Sequence, residues 1–180
     1  MDPAVSAPVI AVPTAVLAAT AAYAGARSQA RSAHRGPVDA VRRQHQRDAY
    51  AAFLAALHAY QTATQWDTCY KRVTAEMHAV GTSPVDWAET AADRTRVLVA
   101  DASLDDLMRT GAAVDLEGPE HIAACAAITL GSARELRRVA SWPLWSYDDH
   151  SAVAAAHGRL GVAITGFVQA ARAHLNDFDG

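Results

Sequence analysis

YAAFLAALHAY, residues 50–60, sets Tyr50, Phe53, Leu57 and Tyr60 at successive spacings of three, four and three. That is the repeat of one helical face; strand side chains alternate every second residue and do not produce it. Alanine fills five of the remaining positions and favours the same conformation, because it loses no side-chain entropy in a helix. Downstream the stripe resumes as Trp66, Tyr70, Val73, Met77 and Val80. Tyr60 and Trp66 are six residues apart instead of seven, so the stripe changes phase between them. A bend, a stammer or two shorter helices would each accommodate that. Upstream, Gly36-Pro37 marks a start, since Pro suits the first helical turn and disrupts the interior. A helix is therefore predicted from near Pro37 toward Val80, ending at Gly81.

The same reading extends to the rest of the chain. Ser83-Pro84 offers an N-cap followed by Pro at the first helical position. The helix it opens should run to Val114, with Trp87 at its start and Val97, Ala100, Leu104, Leu107, Gly111 and Val114 on one face. Asp115-Leu116-Glu117-Gly118-Pro119 stops it and starts another. There Ile122, Cys125, Thr129, Ser132, Leu136 and Val139 repeat the spacing, and Ala123, Ala126 and Ala133 widen the face. Gly131 costs that helix about 1 kcal/mol relative to Ala unless a neighbour packs closely against it. Beyond a loop near 141–149, Val153, His157, Leu160, Ile164, Phe167, Ala171 and Leu175 line the last helix. No sustained period-two run and no solenoid repeat interrupts this pattern. The expectation is an all-α fold: an antiparallel up-down bundle of about four helices over 37–180, preceded by an apolar helix within 1–36.

Composition agrees. One hundred and eighty residues suit a single domain, and the 43 alanines outnumber the 35 Leu, Ile, Val and Phe residues together. The large apolar side chains are few, but a net charge of only −3 does not fit a disordered chain.

The N-terminal part carries a different signal. Pro3 to Ala26 is a run of 24 residues without a charge, long enough to cross a bilayer. Its strong apolar side chains are only Val5, Val9, Ile10, Val12, Val16 and Leu17. Arg27, Arg31, Arg35, Arg42, Arg43 and Arg47 follow, against the single acid Asp39, and only Asp2 precedes. The positive-inside rule then leaves the N-terminus outside and the bulk of the chain in the cytoplasm. A secretory signal has the reverse polarity. These six arginines suit anionic lipid headgroups at the inner leaflet. The charge step also has a nucleic-acid reading, since 17 acids and 10 basic residues follow from Asp48 onward. No reader module accompanies it, so nucleic acid is not favoured. The competing view makes 1–36 a soluble Ala-rich arm of a cytoplasmic protein.

Chemistry-bearing patterns are few. Eight histidines include no HxxxH and no HExxH, and ExxH is absent, so no metal site is expected. Without a GxSxG, a P-loop or a GxGxxG, no catalytic residue or cofactor is expected either. His157 sits on an apolar stripe, which makes it a hydrogen-bonded bundle histidine or a buried switch. Trp142, Trp145 and Tyr147, within SWPLWSY, either close one end of the bundle or form a partner-binding tip. Cys69 and Cys125, 56 residues apart, read as small buried hydrophobes in a reducing compartment.

Three segments carry a resemblance. GARSQARSAHRGPVDAVRRQHQRDAYAAFLAALHAY (25–60), VDLEGPEHIAA (114–124) and FVQAARAHL (167–175) resemble a family of small helical actinobacterial proteins with a short apolar N-terminal segment. The resemblance implies a helical, often membrane-anchored protein and brings no activity or catalytic residue with it. Two functions are expected from these readings. The first is a membrane-anchored interaction or scaffold protein whose partner is another protein or a second copy of itself. The alternative is a soluble helical regulator or sensor that holds a small apolar ligand between its helices.

Overall fold

The computed structural model describes residues 38–80, 87–142 and 149–177. Among these residues every regular element is an α-helix: α1 (38–63), α2 (Trp66–Val80), α3 (Trp87–Ala100), α4 (Asp105–Glu117), α5 (Glu120–Ser141) and α6 (Asp149–Asn176). Contacts divide the chain into two compact units, Met1–Gln44 and His45–Gly180. Of the first unit only 38–44 is described; Val38 and Val41 are exposed there, and Arg43 Nε donates to the Asp39 carbonyl at 3.3 Å. The uncharged run Pro3–Ala26, Arg27, Arg31, Arg35 and the Ser83-Pro84 cap lie outside the described residues.

The helix expected from Pro37 to Val80 is two helices, divided where the stripe changes phase. Thr64 is fully buried at the junction, and its hydroxyl donates to the Tyr60 carbonyl at 2.8 Å. Cys69 Sγ donates to the Ala63 carbonyl at 3.1 Å. The Tyr60 carbonyl also accepts the Thr64 N–H at 2.9 Å, whereas the Ala63 carbonyl, in the last turn of α1, is left to the Cys69 thiol.

The helix expected from Pro84 to Val114 also divides, at residues 101–104. Ser103 Oγ accepts the Asp105 N–H at 3.1 Å, and Asp105 and Asp106 stand in the first turn of α4. A hydroxyl on an orphan N–H and carboxylates at the positive end of a helix both favour a start there. Leu104 and Leu107 are buried as expected, but Val97 is 54% exposed, because the stripe was counted through a break.

α1 supplies the centre of the core. Phe53 meets Phe167 of α6 edge-on at 5.0 Å between centroids, and Tyr50 meets the same ring at 6.1 Å. Tyr60 Oη donates to the Ala133 carbonyl of α5 at 3.2 Å, and Gln46 Nε2 donates to the Glu117 carbonyl of α4 at 2.8 Å. α5 packs extensively on α6, and α3 and α4 also pack on α5. The buried line of α5 is Ile122, Ala126, Thr129, Ala133, Leu136 and Ala140, while Cys125, Ser132 and Val139 are only half-buried. The face is thus centred on its alanines, whose short side chains let helix backbones approach closely. Thr129 Oγ1 lies 3.3 Å from the Ala163 carbonyl of α6.

In α6 the buried side chains are Val153, Ala156, Leu160, Ile164, Phe167 and Ala171. Burying each of the larger ones stabilises the fold by about 1.5–3 kcal/mol. Within α6, Ser151–Asn176 is also long and apolar enough to cross a membrane by length and composition, a test that the core helix of a soluble protein passes as well.

Candidate functional site

α2 and α3 pack on each other around a core of their own. Val73, Met77 and Ala91 are buried between them, with Tyr70, Trp87 and Leu98 packed partly against these. The His78 ring leans on Trp87 at 4.7 Å between centroids. Thr95, fully buried on α3, satisfies its hydroxyl by donating to the Ala91 carbonyl at 2.7 Å. Each helix begins with Trp and carries an acid in its first turn, Asp67 and Glu89, where the helix dipole favours negative charge.

This helix pair carries a cleft of about 460 Å³. Its apolar lining is Val73, Val97 and Leu98, and its charged lining is Glu76, Asp93, Arg94 and Arg96. Arg96 is held to Asp93 at 3.1 Å, with its side chain 20% exposed. Glu76 is bound from outside the cleft by Arg72, also at 3.1 Å. The volume lies within the range of small-ligand sites, about 300–1,000 Å³, and an apolar floor with a few fixed charges is the usual composition of such sites.

A smaller cleft of about 200 Å³ lies between the second half of α1 and the start of α4. Its polar groups are committed elsewhere. Tyr60 Oη bonds to Ala133, and Asp106 holds Arg109 at 3.0 Å. Burial pushes the Tyr60 phenol up to about 12, with Arg137 pulling the other way.

At the opposite end of α1, Tyr50, His121 and His174 form a cluster. The two imidazoles stand edge to face at 5.6 Å, and Tyr50 lies 6.3 Å from His174. The Tyr50 hydroxyl is buried without a hydrogen-bond partner among the described residues. Burial, and then His121, lower the proton affinity of His174, while Asp177 raises it. Among the described residues no three His, Cys, Asp or Glu side chains converge as a metal site.

The residues singled out in the sequence fall in separate places. His157 is half-buried, and its Nε2 stands 3.0 Å from the Gln61 carbonyl. A carbonyl only accepts, so Nε2 carries the hydrogen, and His157 caps the last turn of α1 from α6. Trp142 is 55% exposed, with the Arg138 guanidinium 5.1 Å above its ring. Trp145 and Tyr147 lie outside the described residues. Arg42 and Arg47 are exposed on α1, and Arg43 is half-buried.

Both cysteines are free thiols. Cys69 is buried and Cys125 half-buried. Burial raises the Cys69 thiol, against a smaller opposing pull from Arg72, so it stays protonated and unreactive near neutral pH.

The cleft residues were not legible as a site. Val73 and Val97 read as stripe positions, and only the pairing of α2 with α3 brings Arg94 and Arg96 beside them. Compared with known protein families, curated proteins and solved structures, the chain matches none.

Proposed function

We propose that this chain is a helical binding module in which the cleft between α2 and α3 takes a small apolar ligand. In this reading α1, α4, α5 and α6 form an up-and-down antiparallel bundle, and the α2–α3 pair is inserted between its first two helices. Four contacts support that order. The start of α1 meets the end of α4 through Gln46 and Glu117, and its end meets the start of α6 through Gln61 and His157. Tyr60 meets Ala133 along α5, and Gly111 of α4 faces Leu130 of α5 and Phe53 of α1.

The observation that carries the functional reading is the cleft itself. Its volume of about 460 Å³ lies over an apolar floor that includes Val97, a large hydrophobic residue left 54% exposed. A fluorescent apolar probe such as N-phenyl-1-naphthylamine should bind the protein with saturable enhancement, and Val97→Asp should abolish it while far-UV circular dichroism stays unchanged. Equal probe binding by Val97→Asp refutes the reading.

A second reading, a membrane-anchored interaction or scaffold protein, is favoured by the uncharged run Pro3–Ala26 followed by six arginines. It sets the described helices in the cytoplasm, and it agrees with the kinship to small actinobacterial helical proteins suggested by the segments quoted above. Fractionation tests it. Anchored protein stays with membranes in high salt and leaves in detergent, and Val16→Asp, which adds roughly 2.5–3.5 kcal/mol to insertion, should release much of it. Full-length protein that is soluble without detergent refutes the anchor.

A further inference from the structure

The charges around the α2–α3 cleft are unequally matched. Glu76 is engaged by Arg72, and Asp93 by Arg96, each at 3.1 Å. Arg94 lines the same cleft and has no ion-pair or hydrogen-bond partner among the described residues. The cleft therefore presents one uncompensated positive charge beside an apolar floor. A cationic ligand would find both carboxylates already occupied. A neutral apolar ligand would use the floor and leave the guanidinium idle.

We propose that the cleft binds a single-tailed amphiphile, with its hydrocarbon chain against Val73, Val97 and Leu98 and one anionic head, a carboxylate or phosphate ester, on Arg94. The planar fork of a guanidinium matches both head groups with two parallel hydrogen bonds, which a point charge would not provide. Because Arg94 is exposed, its part of the binding is screened by salt, whereas the tail's part is not. Arg96 sets the geometry differently. Pinned to Asp93 and four-fifths buried, it is a wall of the cleft and does not compete for the head.

The assignment rests on reading this cleft as a binding site, and the experiment separates the two claims. The full chain is titrated with decanoate, decanol and decyltrimethylammonium, each below its micelle concentration, by calorimetry and by displacement of the naphthylamine probe. Decanoate should bind at least about tenfold more tightly than decanol, the worth of one charge-assisted hydrogen bond, and the cation most weakly. Added sodium chloride should narrow that gap. Arg94→Gln should bring decanoate to the decanol level and leave decanol unchanged, while Arg134→Gln on α5 should change nothing.

Decanoate bound no better than decanol, or equally well by Arg94→Gln, overturns the head-group assignment. If Val97→Asp still abolishes binding in that case, the cleft survives as an apolar site. If none of the three ligands binds, the cleft reading itself falls. Phosphatidylcholine vesicles doped with phosphatidylglycerol distinguish the source of the head. Co-sedimentation lost in Arg94→Gln assigns a membrane lipid; co-sedimentation unchanged, with decanoate binding lost, assigns a free amphiphile.

Discussion

Gly131, Gly158 and Gly166 lie within α5 and α6, are exposed, and have nothing within 4 Å of the point where a Cβ would stand. Each therefore costs its helix backbone entropy and returns no close packing. Ala at each position should recover about 0.8–1 kcal/mol. Gly158 and Gly166 are about 12 Å apart along α6, and Gly131 is on another helix, so the three gains should add to about 2–3 kcal/mol. For a chain of this length that corresponds to a rise of roughly 5–10 °C in melting temperature and about 1 M in urea midpoint.

Gly118 is the counter-case. A Cβ there would lie 2.7 Å from the Val114 carbonyl oxygen and 3.1 Å from the Tyr50 hydroxyl. That carbonyl is held in place because it accepts the Gly118 N–H at 2.8 Å, so backbone must shift to make room. Gly118→Ala should cost about 1–3 kcal/mol, the range for overpacking. Gly111 is intermediate, since its Cβ would meet the far end of the flexible Leu130 side chain at 2.7 Å. There relief by rotation and the helical gain should nearly cancel. Urea unfolding followed by circular dichroism checks all five variants. A triple variant less stable than the parent, or Gly118→Ala as stable as the parent, would refute the helix packing described here.

Other expectations follow from single contacts. Leu136→Ala, at a fully buried position, should lose about 2–5 kcal/mol, and Leu104→Ala a value near the lower end of that range, both measured by urea unfolding. His157→Leu removes the donor from the Gln61 carbonyl and should cost about 0.5–1.5 kcal/mol; unchanged stability would deny the cap. The folded pKa of His174 lies below its unfolded value of about 6.5, so the stability it contributes is present above that pH and is lost as pH falls through the folded value. The urea midpoint should decline as pH falls below about 6.5, and His174→Gln should flatten that decline. Tyr50, His121 and Asp177 are among the titratable groups around it, and Glu135, lowered by its bond to Arg138, acts in the carboxylate range below.

Much of the helical pattern was legible, because Tyr50, Phe53, Leu57 and Tyr60 keep one face through eleven residues and all four are buried. The phase slip before Trp66 was also legible, and the structure chooses two helices from the alternatives it left open. The break at 101–104 was missed for a specific reason. Ala100, Leu104 and Leu107 happen to keep the spacing across it, while the local start signal, Ser103 followed by Asp105 and Asp106, does not register in a count of apolar side chains. On α5 the expected face included Ile122, Ala126, Thr129, Ala133 and Leu136, all buried, but it set the alanines at its margin and left out Ala140, since counting large side chains favours Cys125 and Val139. Alanine contributes little transfer energy, yet it sets how closely two helices approach, and a periodicity count does not weigh that. His157 was visible as an anomaly on its stripe, but its partner is 96 residues away on another helix. The cleft was illegible because its charges become a site only after α2 and α3 pair.

Amide hydrogen exchange of the full chain, followed by mass spectrometry with and without decanoate, tests the assignment of the cleft most directly. The account predicts slower exchange confined to peptides covering Val73–Met77 and Asp93–Leu98, and weaker slowing in Arg94→Gln at a sub-saturating concentration of the same ligand. Protection spread evenly over all the helices, or centred on the His121–His174 end of the molecule, would contradict it.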